Sequence, residues 1–176
     1  MGEIHGKLSA EARGGDISWD SLFSLVRLKL SLEDCTIAGL PIQKALATSL
    51  FLPSIATLDF SSISATAEMK TGDTIRTTFK GVGDQLDFSS EGWVMLNGRL
   101  QQQFNGVFSG KMAASFPDVV KNSLIPAGKG KRKLTCRLFG TYYEPRFELD
   151  QATLRRAVGN MFDGLRQEII DIHNGR

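Results

Sequence analysis

Apolar and polar residues alternate along most of the chain between residues 63 and 108, and this pattern predicts four consecutive β-strands. Because successive side chains point to opposite sides of a strand, each predicted strand has one apolar and one polar face. Several such strands in succession predict an antiparallel sheet with a single apolar face. The residues predicted to line that face are Ile63, Ala65, Ala67, Met69, Ile75, Phe79, Leu86, Phe88, Val94, Leu96, Leu100, Phe104 and Phe108.

The turns between these strands predict their register. A two-residue turn at residues 82–83 would pair Phe79 with Leu86. The strongest hairpin signal is the dipeptide at residues 97–98, Asn-Gly. A three-residue loop over residues 97–99 would require Arg99 to adopt the left-handed conformation, and a β-bulge near Gly92 is the alternative. The pairs predicted by the three-residue loop are Leu96–Leu100, Val94–Gln102, Gly92–Phe104 and Phe88–Phe108.

Further elements are predicted on either side of this region. Additional strands are predicted at residues 3–13, 26–33, 134–138 and 147–149. We expect residues 36–39 to end the second of these. Helices are predicted from Ser18, from Pro41 to Leu50, from Asp118 to Leu124, and from Gln151 to Ile172. The predicted fold class is α+β, mainly β: a curved antiparallel meander sheet with one apolar face, short helices and a C-terminal amphipathic helix.

Length and composition narrow the classes of function. The 176 residues suit a single domain, and a formal net charge of +2 does not favour a nucleic-acid-binding protein. The two cysteines, Cys35 and Cys136, lack the spacing of metal ligands. A disulfide between them would require an oxidising compartment, and the sequence leaves that pairing open. Neither a signal peptide nor an apolar run of about 18 residues is visible.

No constellation of catalytic residues is visible, so we expect a protein that is not an enzyme and that binds no metal or cofactor. The two histidines, His5 and His173, lie near opposite ends of the chain and are expected at the surface. The basic segment at residues 128–133 lacks the spacing of a phosphate-binding loop. We expect a solvated loop there, or contact with anionic lipid headgroups. The candidate headgroup residues are Lys129, Lys131, Arg132 and Lys133.

Three segments carry a resemblance to a known family. Residues 34–47 read DCTIAGLPIQKALA, and residues 138–150 read LFGTYYEPRFELD. Between them, residues 60–100 contain two strands joined by a Gly-Asp turn and a Gly-Trp-Val-Met-Leu segment before the Asn-Gly turn. In order and spacing these segments resemble the C-terminal region of the AsmA-like family of bacterial envelope proteins. The resemblance covers residues 26–149, with Asp-Cys where the family often has Asp-Gly.

The resemblance implies a periplasmic domain near the C-terminal end of a longer, bridge-like envelope protein. Proteins of this family form long sheets with an apolar groove and are implicated in moving phospholipid between the inner and outer membranes. We would then expect the parent protein to be anchored in the inner membrane by a segment absent from this chain. The expected partners are phospholipid acyl chains, together with a membrane surface or an envelope protein.

Two hypotheses follow for the predicted apolar face. In the first, the face is a groove that binds acyl chains, which require a continuous apolar surface and no chemical step. In the second, the predicted helices at residues 41–50 and 151–172 cover the face, and the domain is a structural or docking module of the envelope. The observation that separates the two hypotheses is whether helices cover the face.

Overall fold

The computed structural model describes residues 3–13, 26–50, 53–69 and 72–150, together with the isolated positions 155 and 159. Within these residues, nine strands form one sheet, and three short helices and one 3-10 turn connect them. The strands are β1 (Glu3–Arg13), β2 (Val26–Ala38), β3 (Thr57–Met69), β4 (Thr74–Val82), β5 (Leu86–Met95), β6 (Arg99–Phe108), β7 (Ile125–Pro126), β8 (Arg132–Thr141) and β9 (Pro145–Leu149). The helices are α1 (Pro41–Leu50), α2 (Gly110–Ala114) and α3 (Asp118–Ser123), and the 3-10 turn is Pro53–Ala56.

All strand pairs are antiparallel, and the strands lie in the order β1-β2-β3-β4-β5-β6-β8-β7, with β9 also paired to β8. The first six strands therefore form a meander. This confirms the prediction of a mainly β, antiparallel fold with short helices. The predicted helical turn at Ser18 and the predicted C-terminal helix lie outside the described residues, except that Arg155 and Gly159 are helical and exposed.

The predicted pairing of Phe79 with Leu86 is wrong, because β4 and β5 meet in a different register. Phe79 pairs with Ser90, and Gly81 pairs with Phe88. A Cβ atom at Gly81 would lie only 2.2 Å from the ring of Phe88, so the ring occupies the space that the glycine leaves. Residues 83–85 form the connection, where the carboxylate of Asp87 accepts a hydrogen bond from the N–H of Gly83 at 3.2 Å.

The β5–β6 hairpin has the predicted loop length but not the predicted loop position. Its loop is residues 96–98, and Gly98 adopts the left-handed conformation with φ +87°. Glycine reaches this conformation without the steric penalty that Arg99 would incur. The N–H of Gly98 donates to the carbonyl of Met95 at 2.9 Å. The predicted pairs are therefore wrong by two residues, and the observed ones are Val94–Leu100, Gly92–Gln102, Ser90–Phe104 and Leu86–Phe108.

Strand β2 continues to Ala38, so the predicted break at residues 36–39 is wrong. A bulge explains the difference. The β1–β2 register shifts between His5 and Lys7, where β2 contains one residue more than β1. Asp34 lies at this point with φ +48°, a left-handed conformation that aspartate tolerates better than most residues. The bulge lets the strand continue and changes which of its residues face the core.

The same change occurs in the neighbouring strand. In β3, Phe60 and Ile63 are both buried although they are three positions apart, and the two serines between them are exposed. In β2 the buried position after the bulge is Cys35, which pairs with Phe60. Because side chains alternate strictly along a regular strand, both strands must change phase at this level to keep their apolar residues on one side.

We predict that Asp34→Val lowers the free energy of unfolding by about 1–2 kcal/mol, because a β-branched residue is disfavoured in the left-handed region. Asp34→Asn should change it by less than about 0.5 kcal/mol, since asparagine tolerates the same conformation. Urea denaturation of the two variants measures the difference. Equal losses in both would contradict a conformational role for this position.

Candidate functional site

The strand register places most of the predicted groove residues on one side of the sheet, here called the core face. Residues of this face lie directly opposite one another on adjacent strands. For example, Ile63 is opposite Gly81, which is opposite Phe88. Leu96 is the exception: it lies in the β5–β6 loop, its side chain is 58% exposed, and it is not on the sheet face. The other twelve candidates share the core face on strands β3 to β6.

Burial of the core face increases across the sheet. All eleven residues of β1 are exposed, and Leu8 on this strand is 64% exposed. Leu28 and Leu30 of β2, together with Ala65 of β3, are half-buried. On β8, by contrast, Leu134 is completely buried. The face is therefore closed on the β6–β8 side and open on the β1–β2 side.

Helices cover one end of the core face, here called the helical end, which contains the last residues of β2, β4 and β6 and the first residues of β3, β5 and β8. Leu46 of α1, Ile55 of the 3-10 turn and Met112 of α2 belong to one buried cluster there. Phe116 also joins the cluster, and its ring packs edge-to-face against Phe108 with centroids 5.0 Å apart. This end of the face is an ordinary hydrophobic core.

Gln43 ties α1 to the sheet at this end. It is buried, its amide nitrogen donates to the carbonyl of Ile37 at 2.9 Å, and its amide oxygen accepts from the N–H of Leu40 at 3.0 Å. These bonds fix the start of α1 against the end of β2. The prediction that the helix at residues 41–50 covers part of the face is consistent with this contact. The second helix predicted to cover it lies outside the described residues.

The remaining apolar surface is here called the open region. It comprises the core-face residues of β1 to β4 that lie away from the helical end and are exposed or only half-buried. The open region consists of Leu8, Ala10, Ala12, Leu28, Leu30, Leu32, Ala65, Ala67, Ile75 and Phe79. Six of these residues lie on β1 and β2, and two alanines of β3 lie beside them. Alanines at two positions of β3 leave space above the sheet that longer side chains would fill.

A buried polar network interrupts the core face beside the open region, and sequence analysis missed it. The amide nitrogen of Gln102 donates to the hydroxyl of Thr77 at 2.6 Å, and the hydroxyl of Ser90 donates to the amide oxygen of Gln102 at 3.2 Å. All three residues are buried. In the alternation of each strand they stand at positions that otherwise hold apolar residues. Polar residues at such positions are the sequence feature that could have indicated a buried network. The network contains no acid, base or nucleophile with a perturbed pKa.

The basic segment lies at the helical end, away from the open region. It forms the turn of the β7–β8 hairpin, in which the N–H of Lys131 donates to the carbonyl of Gly128 at 2.9 Å. Lys129 is exposed, and its backbone is left-handed with φ +48°. Arg132 and Lys133 are half-buried. The structure therefore does not bring the four headgroup candidates next to the open part of the predicted groove.

Two exposed tyrosines mark the opposite end of the sheet. Tyr142 and Tyr143 lie between β8 and β9, are 48% and 71% exposed, and have ring centroids 3.9 Å apart. The backbone N–H of Tyr142 donates to the carbonyl of Gly98 at 3.1 Å, and its ring lies against Gly98 of the β5–β6 loop. A hydrogen bond with Tyr143 raises the pKa of Tyr142. Sequence analysis included both tyrosines only as part of a motif.

The two cysteines are free and buried, so the possible disulfide does not form in this structure. Burial raises the pKa of Cys35. Burial, with a smaller effect from the carboxylate of Asp150, raises the pKa of Cys136 to about 12. At neutral pH both are therefore protonated core side chains and poor nucleophiles.

Other kinds of site find no support in the part of the chain that the structure describes. No group of three or more His, Cys, Asp or Glu side chains is arranged there to hold a metal ion. Among the same residues, no helix is both long enough and apolar enough to cross a membrane. His5 lies on the exposed β1 strand, with its ring nitrogen 3.3 Å from the carboxylate of Glu3.

Comparison with models of protein families, with curated proteins and with solved structures finds no match to this chain. The resemblance to the AsmA-like family therefore stays a prediction that rests on the three sequence segments. The candidate site is the core face itself. Its distinguishing property is that its residues on β1 and β2 are much less buried than those on β6 and β8.

We predict that Gln102→Leu lowers the free energy of unfolding by about 1–3 kcal/mol, because it leaves two buried hydroxyls without their partner. The variant that also carries Thr77→Val and Ser90→Ala should lose less than the sum of the three single losses, since no unpaired polar group then remains. Chemical denaturation of the single and combined variants measures this. Strict additivity would show that the three side chains act independently.

We predict that Cys136 makes the free energy of unfolding decrease at alkaline pH. The folded-state pKa of about 12 exceeds the ordinary value of 9.0. The stability that the buried, protonated thiol contributes is therefore complete below pH 9 and is lost as the pH rises through the folded-state pKa. Between these limits the free energy of unfolding should fall more steeply for the unmodified chain than for Cys136→Ala. Lysine and tyrosine titrations are common to both proteins, so parallel pH profiles would contradict the prediction.

Proposed function

We propose that this domain is a lipid-binding module in which acyl chains lie on the open region of the core face. The observation that carries the proposal is the uneven burial of that face. Helices close the helical end, while apolar side chains of β1 and β2 stay accessible, including Leu8 at 64% exposure. Contiguous exposed apolar surface on a folded domain commonly marks a site of lipid or protein contact.

The chemistry of the open region suits an acyl chain. The region presents leucine, alanine, isoleucine and phenylalanine side chains, and none of its members carries a charge. Covering each CH₂ group of an acyl chain contributes about 0.8 kcal/mol, so a chain in contact along several strands gains enough to bind without polar contacts. Ala65 and Ala67 lie next to Leu30 and Leu28 in the register, so short and long apolar side chains are neighbours on this part of the face.

The wider role follows from the resemblance alone. On that basis we propose that the domain belongs to a longer envelope protein with a bridge-like shape, that it lies in the periplasm, and that it helps phospholipid to pass between the two membranes. The proposed role involves no chemical reaction. Because the basic turn of β7–β8 lies at the helical end, any contact that it makes with headgroups would be separate from the acyl site.

A structural or protein-docking module is the second candidate. The observation that favours it is the buried cluster at the helical end, where α1, α2 and the 3-10 turn cover the sheet as in an ordinary domain core. Under this reading the open region would be covered by a partner protein of the envelope. The two candidates differ in whether isolated lipid binds the purified domain.

The test compares two neighbouring residues of β2 that are both half-buried and lie on opposite faces of the sheet. Leu30→Glu places a charge in the open region, whereas Ser31→Glu places the same charge on the polar face. We expect Leu30→Glu to weaken binding of a fluorescent fatty acid at least about tenfold, because an uncompensated charge opposes apolar contact. Ser31→Glu should bind as the unmodified domain does.

Lipid extraction followed by mass spectrometry provides the second measurement, and thermal unfolding checks that both variants are folded. Absence of co-purified lipid from the unmodified domain, together with no saturable binding of the fatty acid, would refute the lipid proposal. That result would favour the docking module. Equal loss of binding in both glutamate variants would show that the open region is not the site.

A further inference from the structure

Strand β1 lies at one end of the sheet that the described residues form. It is the first strand in the sheet order, and among the described strands its only partner is β2. All eleven of its residues are exposed. The backbone N–H and C=O groups on the outer edge of such a strand are ready to pair with another strand, and proteins commonly protect edges of this length. The expected partner of the outer edge of β1 is therefore another β-strand.

The charges along β1 are self-complementary in an antiparallel arrangement. The side chains on its polar face are, in order, Glu3, His5, Lys7, Ser9, Glu11 and Arg13. If two copies pair about Leu8, Glu3 of one copy lies opposite Arg13 of the other. His5 then lies opposite Glu11, whose carboxylate can accept a hydrogen bond from the imidazole, and both contacts occur twice because of the twofold symmetry. Within one chain Glu3 contacts His5 at 3.3 Å and Arg13 contacts Glu11 at 2.6 Å, so pairing exchanges these exposed contacts for contacts between the two copies. Opposite charges in cross-strand pairs favour association.

The apolar side of β1 matches in the same register. The two copies of Leu8 meet at the centre, where each covers the other's exposed side chain, and Ile4, which is 50% exposed, lies opposite Ala12. Pairing about Ser9 would instead place Lys7 opposite Glu11 and His5 opposite Arg13, and it would leave Glu3 opposite no residue of β1. Pairing one residue out of phase would bring apolar side chains against charged ones on both faces. The register about Leu8 is the one that keeps apolar and polar residues on separate faces and also pairs all eleven residues of β1.

We propose that two copies of this chain associate through β1, in an antiparallel pair centred on Leu8. The sheet then continues from one molecule into the other, and the open regions of the two copies become adjacent. This proposal does not rest on lipid binding, because it concerns the edge of β1 and not the face of the sheet. Its expected form is a closed dimer, since each copy uses its exposed edge once.

The first test locates the register by disulfide cross-linking of the full chain. Leu8→Cys should give a covalent dimer on mild oxidation, because the Cα atoms of directly opposed residues are about 4.5–5.5 Å apart, within disulfide reach. Ala12→Cys is the matched control. In the proposed register its two copies are offset by eight residues, or roughly 27 Å, and should not cross-link. The native thiols, Cys35 and Cys136, are buried.

The second test exchanges the charges. Arg13→Glu places like charges opposite each other at both ends of the pair and should weaken the dimer about tenfold. Adding Glu3→Arg to the same chain restores opposite charges and should restore the dimer. Within its own chain Arg13 is opposite Arg27 in the register, and its guanidinium contacts the carboxylate of Glu11 at 2.6 Å. The single change therefore removes a like-charge neighbour together with an exposed ion pair, which contributes little to stability. Light scattering over a range of concentrations measures association, and thermal unfolding checks the fold.

Cross-linking at Leu8 but not at Ala12, with loss and recovery of the dimer in the charge exchange, would support the proposal. A chain that stays monomeric from micromolar to millimolar concentrations would overturn it. So would a dimer that cross-links equally at both positions or that does not respond to the charge exchange, because either result would place the contact on another surface. Each outcome is independent of whether the domain binds lipid.

Discussion

The change of side-chain phase near Asp34 is the constraint on which the rest of the sheet depends. Without it, Cys35 would point away from the core, although it pairs with the buried Phe60. The left-handed backbone of Asp34 turns the strand by one residue, and β3 changes phase at the same level between Phe60 and Ile63. Long strands can therefore cross the sheet from the open region to the helical end and keep their apolar residues on one side.

Alternation in the sequence predicted most of the strands, and the face of twelve of the thirteen candidate residues, but it did not predict the register. A slip of two residues leaves every side chain on the same face, so the pairs Val94–Gln102 and Val94–Leu100 satisfy the hydrophobic pattern equally. Two local effects decide between them. Gly98 adopts the left-handed conformation of the loop, and Gln102 meets Thr77 and Ser90 in a hydrogen-bonded network. Neither effect is visible in a pattern that distinguishes only apolar from polar residues.

The candidate site was predictable in its residue types but not in its extent. Its twelve strand residues do share a face, yet the pattern could not show that helices cover one end, because coverage depends on contacts between distant segments. Phe116 and Ile55 enter the core from connections whose packing has no periodic signal. For the same reason the sequence did not show where the basic turn around Lys129 lies relative to the face, and the strand order places it at the helical end, on the far side from β1.

The open region and the free edge of β1 pose two separate physical problems. Exposed apolar side chains such as Leu8 are costly in contact with water, whereas an unpaired edge exposes backbone groups that water solvates but that invite strand pairing. A lipid on the face relieves the first problem and leaves the second. A second copy at the edge satisfies the backbone groups and covers only the apolar residues of β1, leaving those of β2 and β3 accessible. The two forms of association are therefore compatible, and pairing through β1 would widen the surface available to an acyl chain.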